Sequence, residues 1–244
     1  LIKIVCFKWK SAGETFRYRE PYTAEHVNIF AAMINRHVKT PHEVICFTDD
    51  PRGINVKTIP IWDDLAEYQM CYRRLKLFSS EMKTLIGDKF IALDIDCIIK
   101  GDITDIVEFK EDFKIFQPRT TKTPYAGGLF GMNPGSRAFV WDDFNTEDLV
   151  WMPQKRGGHR YVHKKAHDMG YTVGSDQAYI SYKLYPKEKT WTQINGIGLF
   201  SDVLQKKNNP ADLRLIFLNG KYDPSQKDLQ EKYPWIKNNW TIHQ

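Results

Sequence analysis

Two carboxylates two residues apart, Asp94 and Asp96, close the apolar run Phe90-Ile-Ala-Leu93, and Cys97-Ile-Ile99 and the turn Lys100-Gly101-Asp102 follow them. In an extended backbone, residues i and i+2 point to one face about 6.6 Å apart, twice the rise per residue. Asp94 and Asp96 are therefore expected to converge on one cation while Ile95 faces the core. Carboxylates are hard oxygen ligands, and a pair that leaves positions open for phosphate oxygens suits Mn²⁺ or Mg²⁺. Both would stand at the carboxyl end of a buried strand, the edge where open α/β sheets bind ligands. The plainer alternative is that they only cap the turn after the strand. The apolar run before them and Lys100-Gly-Asp-Ile103 after them favour the ligand reading.

Other groups are weaker candidates. The stretch from Lys155 to His167 gathers basic and titratable side chains, and a solvated face is the plainer reading. His159, His163 and His167 recur every fourth residue, which on a helix would align them, as three ligands to zinc would be. Gly157-Gly158 argues against a helix long enough to hold all three, so they read as surface histidines. Of the tryptophans, Trp9 and Trp191 are the candidates for stacking on a sugar, and the others read as packing. Asp142-Asp143 lies on an expected helix, where adjacent residues do not share a face, so it reads as solvent-facing. Asp176 could act on a substrate or cap the helix expected over Ala178 to Leu184, and the two roles are compatible.

The elements that must position these groups alternate. Leu1 to Phe7, Glu43 to Phe47, Val56 to Ile61 and Lys89 to Leu93 read as strands. Between them, Thr23 caps a helix whose apolar positions are Val27, Phe30, Ala31, Ile34 and Val38, with Pro41 beyond its end. A second helical pattern runs from Leu65 to Met82. Further strands are expected at Phe113 to Phe116, Gly128 to Met132 and Leu213 to Leu218, with helices and loops over Phe139 to Tyr182. This order predicts an α/β fold with a mixed, mostly parallel central sheet flanked by helices, and no composition break divides residues 1–244 into separate domains.

With 42% hydrophobic residues, the chain is neither disordered nor of low complexity. The net charge of +5, from 35 basic and 30 acidic residues, suits a phosphate-bearing ligand without naming one. No nucleic-acid module is recognisable and the one basic stretch is short, so nucleic acid is not an expected partner. Cys6, Cys46, Cys71 and Cys97 contain no C-x-x-C pair, which argues for free thiols and a cytoplasmic setting. No apolar run is long enough for a transmembrane segment, and the opening residues read as a strand rather than a signal peptide. Oligomeric state is not legible.

Several short motifs resemble, in order, the GT-A fold nucleotide-sugar glycosyltransferases, in their glycogenin-like and bacterial or phage-type branches. Leu93-Asp-Ile-Asp96, followed by apolar residues and Gly101-Asp-Ile103, resembles their D-x-D region. Lys8-Trp9, Tyr22, Val27-Asn28, Asn35-Arg-His37 and Cys46-Phe-Thr-Asp-Asp50 with Gly53 resemble the opening of that branch. Tyr72-Arg-Arg-Leu-Lys-Leu-Phe78 resembles the helix before the D-x-D strand. Ala126-Gly-Gly-Leu-Phe-Gly-Met132 resembles the small-residue strand of the donor pocket, and Gly174-Ser-Asp-Gln177 the late Asp-Gln motif. The similarity covers most of residues 1 to 224.

The resemblance implies a hexosyltransferase-type enzyme that moves a sugar from a nucleotide-diphosphate donor, UDP-linked, to a hydroxyl of a carbohydrate or other acceptor, with retention of configuration and Mn²⁺ or Mg²⁺ as cofactor. Asp94 would hold the ribose and share the metal, and Asp96 would be the main metal ligand. Arg74 would reach the donor, Gly127 and Gly128 would line its pocket, and Phe7, Lys8 and Trp9 would line the base site. Asp176 and Gln177 would meet the transferred sugar near its reacting carbon. Two departures stand out. The late His-Gly-x-x-Lys-Pro segment of the family is here Asn219-Gly-Lys-Tyr-Asp223-Pro224, so Asn219 replaces the ligand histidine and Asp223 the phosphate-binding lysine, with Lys221 as a substitute charge. Ala126 stands where an asparagine is common. The alternatives are a relic of the fold that binds nucleotide or carbohydrate without turnover, and a haloacid-dehalogenase-like phosphatase with Asp94 as nucleophile.

Overall fold

The computed structural model describes residues 1–10, 22–68, 71–119, 122–153, 159–206 and 209–243. β1 (Ile2–Lys8), α1 (Ala24–His37), β2 (His42–Thr48) and β3 (Lys57–Pro60) form the first half of the sheet. A 3₁₀ turn (Tyr72–Phe78) and α2 (Met82–Ile86) lead into β4 (Phe90–Leu93). β5 (Cys97–Ile99), α3 (Thr104–Val107), β6 (Phe113–Phe116), β7 (Ala126–Met132) and α4 (Phe139–Asp142) follow. Next come β8 (Leu149–Pro153), β9 (His159–His163), α5 (Lys164–Asp168), α6 (Asp176–Leu184) and β10 (Lys189–Trp191). β11 (Ile197–Leu199), α7 (Phe200–Leu204), β12 (Leu215–Phe217), α8 (Lys227–Lys232) and α9 (Pro234–Asn239) complete the order.

The fold is mixed α/β. Seven strands run in the order β10-β6-β7-β4-β1-β2-β3. β4, β1, β2 and β3 pair in parallel, as do β10 and β6, while β7 is antiparallel to both its neighbours. A second sheet, β11-β12-β5, sets β12 antiparallel to β5 with Phe217 opposite Cys97. No helix among the described residues is long and apolar enough to cross a membrane.

Buried strands carry apolar residues on both faces, and their alternation builds two layers. Ile4, Cys6, Val44, Cys46, Ile91 and Leu93 pack with α1 and the second sheet. Val5, Phe7, Ile45, Phe47, Phe90 and Ala92 pack on the other side with the 3₁₀ turn, α2 and α6. The same alternation sends Ile95 into the α1 layer, as expected.

Three expectations are corrected. The helical pattern from Leu65 to Met82 is not one helix. Leu65 has φ +60°, and the Arg73 carbonyl accepts from Trp62 Nε1 at 2.8 Å, which diverts it from an α-helical ladder. The span from Phe139 to Tyr182 holds a β-hairpin, β8–β9, besides helices. Trp191, a candidate for sugar stacking, is only 2% exposed and packs edge-on against Phe109 in the core.

Candidate functional site

β4 ends at Leu93, and the next residue is delivered by parity to the face that carries the 3₁₀ turn and α6. The Asp94 N–H donates to the Gly128 carbonyl at 2.9 Å, which ties the bend after β4 to β7. Over residues 94–96 the chain bends instead of continuing as a strand. Ile95 and Asp96 are buried and Asp94 is half-buried, so the two carboxylates meet different surroundings.

Arg74 joins the parts. It projects from the 3₁₀ turn and is buried, with Nε donating to Asp176 Oδ2 at 3.0 Å and Nη2 to the same oxygen at 2.8 Å. Its Nη1 donates to Asp94 Oδ1. Asp176 is the first residue of α6, one past the cap position, which Ser175 occupies without a side-chain cap bond, so Asp176 is not the helix cap. The Gln177 N–H donates to Asp176 Oδ1 at 2.9 Å.

Small residues make room for this cluster. A Cβ on Gly127 would lie 3.0 Å from both Arg74 Nη2 and Asp176 Oδ2. One on Gly128 would lie 2.7 Å from Asp94 Oδ2. Burial opposes the Arg74 charge, but Asp176 and Asp94 more than offset it and hold the guanidinium firmly protonated. Burial likewise raises the Asp176 carboxyl above its usual range, while Arg74 and the Gln177 N–H pull it back. Arg74 is thus a fixed cation between two carboxylates at the carboxyl end of the sheet.

The second sheet brings the late segment to Asp96: the Leu218 N–H donates to the Asp96 carbonyl at 2.9 Å, which sets Asn219 one residue further along. Asn219 already has partners, its Oδ1 accepting from Ser201 N and its Nδ2 donating to Ser201 Oγ, each at 3.1 Å. Asp223 turns away from any phosphate role. It is buried, 3.2 Å from His26 Nε2, and accepts from Ser225 Oγ at 2.6 Å. Against the cost of burial, His26 and Ser225 hold its carboxyl well below the usual range. Lys221 is exposed, with its ammonium 5.7 Å from the Tyr222 ring.

Asp94 and Asp96 offer carboxylate oxygens; Arg74 engages Asp94 Oδ1, and Gly128 leaves the space beside Asp94 Oδ2 that a side chain would fill. Among the described residues no group of three or more His, Cys, Asp or Glu is placed to enclose a metal. Such a set fits a cation that completes its shell with waters and phosphate oxygens, the habit of Mg²⁺.

At the ends of β1 and β2, Phe7 stacks on Phe47 with centroids 5.4 Å apart, and Trp9 stands edge-on to Phe7. Lys8 Nζ donates to the Asp50 carbonyl at 3.0 Å. Lys8, Trp9, Tyr22, Asp49, Asp50 and Arg52 line an open cleft of about 570 Å³. Asp50 and Arg52 were not among the expected site residues; their signal was the strand ending Thr48-Asp-Asp50.

His26, paired with Asp223 and in ring contact with Tyr22, was also missed. It looks like an ordinary polar position in α1 until residue 223 is brought beside it. The reading of surface histidines is corrected for His163, which is buried on β9 against Tyr179 and Phe144, whereas His159 is exposed. Asp142 and Asp143 are exposed, as expected. The expected basic stretch lies partly in residues 154–158, outside the described residues.

No protein-family model and no curated protein matches the sequence. Solved structures do match. The galactosyltransferase LgtC, crystallised with donor and acceptor sugar analogues, superposes at TM-score 0.58 and 12% identity over 99% of this chain and 98% of LgtC. The glycosyltransferase GlyE of Streptococcus pneumoniae TIGR4 superposes at TM-score 0.57 and 12% identity over 98% of this chain. Its apo form does so at TM-score 0.54 and 13% identity. The chain spans 62% of the GlyE chain. At these identities the likeness is one of fold: the chain shares the mixed α/β fold of these glycosyltransferases.

Proposed function

We propose that the chain is a metal-dependent glycosyltransferase that moves a sugar from a UDP-linked donor to an acceptor hydroxyl with retention of configuration. The observation that carries this reading is the Asp94–Arg74–Asp176 bridge at the carboxyl edge of the sheet, with Gly127 and Gly128 clearing the space in front of it. A divalent cation held by Asp94 and Asp96 would supply neutralisation of the leaving diphosphate. Arg74 adds a preorganised positive charge at the same edge, which costs no reorganisation as charge develops. Asp176, buried against Arg74, faces positive charge developing at the sugar carbon, and Gln177 in the first turn of α6 orients the sugar. Trp9, backed by the buried ring of Phe7, offers aromatic surface to the base, and Lys8 positive charge beside it. Retention rests on the resemblance to the glycogenin-like branch, and the sugar-analogue complex of LgtC supports a carbohydrate acceptor.

One observation favours the relic reading instead: Asn219 and Asp223, the substituted positions, are both engaged within the protein. Release of UDP from a panel of UDP-sugars, with Mn²⁺ and with EDTA, decides between them. Mn²⁺-dependent release lost in Asp176→Asn supports the enzyme. UDP binding without any release supports the relic. Faster turnover of nitrophenyl phosphate than of every UDP-sugar supports the phosphatase.

A further inference from the structure

The hairpin β8–β9 carries an aromatic face that the donor chemistry does not use. Its register sets Leu149 opposite His163, Trp151 opposite Tyr161 and Pro153 opposite His159, so these six side chains share one face. The base of that face, Leu149 and His163, is buried. Further out, Trp151 is 49% exposed and His159 is exposed.

The rings form a row. Tyr68 stands edge-on to Tyr161 at 5.0 Å, Tyr161 meets Trp151 at 4.8 Å, and Trp151 lies parallel to His159, at 10° and 5.9 Å. The row is continuous with the proposed reaction site. Tyr72, two residues before Arg74, donates through its hydroxyl to the Tyr161 carbonyl at 3.2 Å. A Cβ on Gly174, two residues before Asp176, would lie 2.6 Å from that same carbonyl. The hairpin is therefore seated against the two segments that supply the ion pair.

Charge and shape narrow the occupant. Among the described residues, Lys164 and Lys165 beside the hairpin are paired with Asp168 and Asp148 at 2.6 and 2.7 Å, so their charges are committed within the protein. Its exposed groups among the described residues are the Trp151 indole, the His159 imidazole and the Pro153 ring, which offer apolar ring surface with polar ring nitrogens. A pyranose matches this with one face of C–H groups and a rim of hydroxyls.

We propose that the row Tyr68, Tyr161, Trp151 and His159 is a binding platform for successive pyranose units of the acceptor, so that the acceptor is a neutral oligosaccharide or polysaccharide chain. This rests on the glycosyltransferase reading, which it deepens by naming the acceptor class.

The test is an array of neutral tri- to hexasaccharides of glucose, galactose, mannose and N-acetylglucosamine, probed with the labelled whole chain. Wild type binds at least one series, Trp151→Ala loses about tenfold in affinity, the loss of an aromatic anchor, and Trp151→Phe retains most of it. His159→Ala, at the tip and away from the core, weakens the same series and serves where Trp151→Ala fails to fold. Wild type that binds no series, or Trp151→Ala and His159→Ala that both bind like wild type, overturns the proposal. Mn²⁺-dependent UDP binding on the same samples is unchanged in both variants. Its absence from wild type overturns the donor reading and leaves the saccharide result to judge the platform.

Discussion

Arg74→Ala removes the cation that Asp176 faces in the interior. The Arg74 and Asp176 side chains are only 8% and 2% exposed, so solvent does little to screen the loss. Breaking a buried pair by removing one partner costs about 3–5 kcal/mol, which at about 2–4 °C per kcal/mol for a chain of this size lowers the melting midpoint by about 10 °C. The loss depends on pH. Without Arg74, burial is opposed only by the backbone N–H groups at Asp176, and its folded pKa rises further above the unfolded value. The penalty is then full above the folded pKa and is relieved as pH falls through it, because the folded state binds the proton more tightly. Urea unfolding at about pH 8 and about pH 5 should show the difference between wild type and Arg74→Ala shrinking at the lower pH. Adding Asp176→Asn to Arg74→Ala should restore stability relative to Arg74→Ala alone, since the stranded charge is gone. An equal loss at both pH values, together with strictly additive variants, would show that Arg74 acts by packing and that the buried ion pair is not what organises the site.

Other consequences follow from single contacts. Gly128→Ala puts a Cβ 2.7 Å from Asp94 Oδ2. It should weaken metal-dependent UDP binding about tenfold while costing about 1 kcal/mol or less of stability, because the end of a side chain gives way and not the backbone; titration calorimetry and a urea curve check both parts, and unchanged affinity counts against Asp94. His163 is pushed by burial down to about 4, with Asp148 only partly offsetting. A histidine depressed in the fold contributes stability above its unfolded pKa near 6.5 and loses it as pH falls toward 4, for a total of about 3 kcal/mol. His163→Asn keeps an acceptor for the Ala166 N–H and should flatten the fall in urea midpoint between about pH 7 and about pH 4.5, where the same fall in both proteins would refute the assignment.

Legibility in the sequence followed the range of the interactions. β1, α1, β2 and β3 were readable because each is specified locally, by apolar runs and by Thr23 ahead of a periodic helix. The 3₁₀ turn was not, since the Arg73 carbonyl is claimed by Trp62 Nε1, a partner that periodicity does not reveal. The hairpin was not legible although Val150-Trp151 and Tyr161-Val162 are good strand residues, because each strand is short and flanked by basic residues and histidines that break its apolar pattern. At the site, the spacing of Asp94 and Asp96 marked the place, yet the partner of Asp94 is Arg74, whose bridge to Asp176 spans 102 residues. The structural role of Asp223 was not legible, because its partner His26 lies 197 residues away.

Titration of UDP into the wild-type chain and into Asp96→Ala, each with and without Mn²⁺, tests the donor site most directly. Wild type should bind UDP with Mn²⁺ and weaken markedly without it, and Asp96→Ala should lose the metal-dependent part, about tenfold or more in affinity. Equal metal-dependent binding by the two proteins, or none by wild type, would contradict the assignment of Asp94 and Asp96 as the centre of a nucleotide-sugar site.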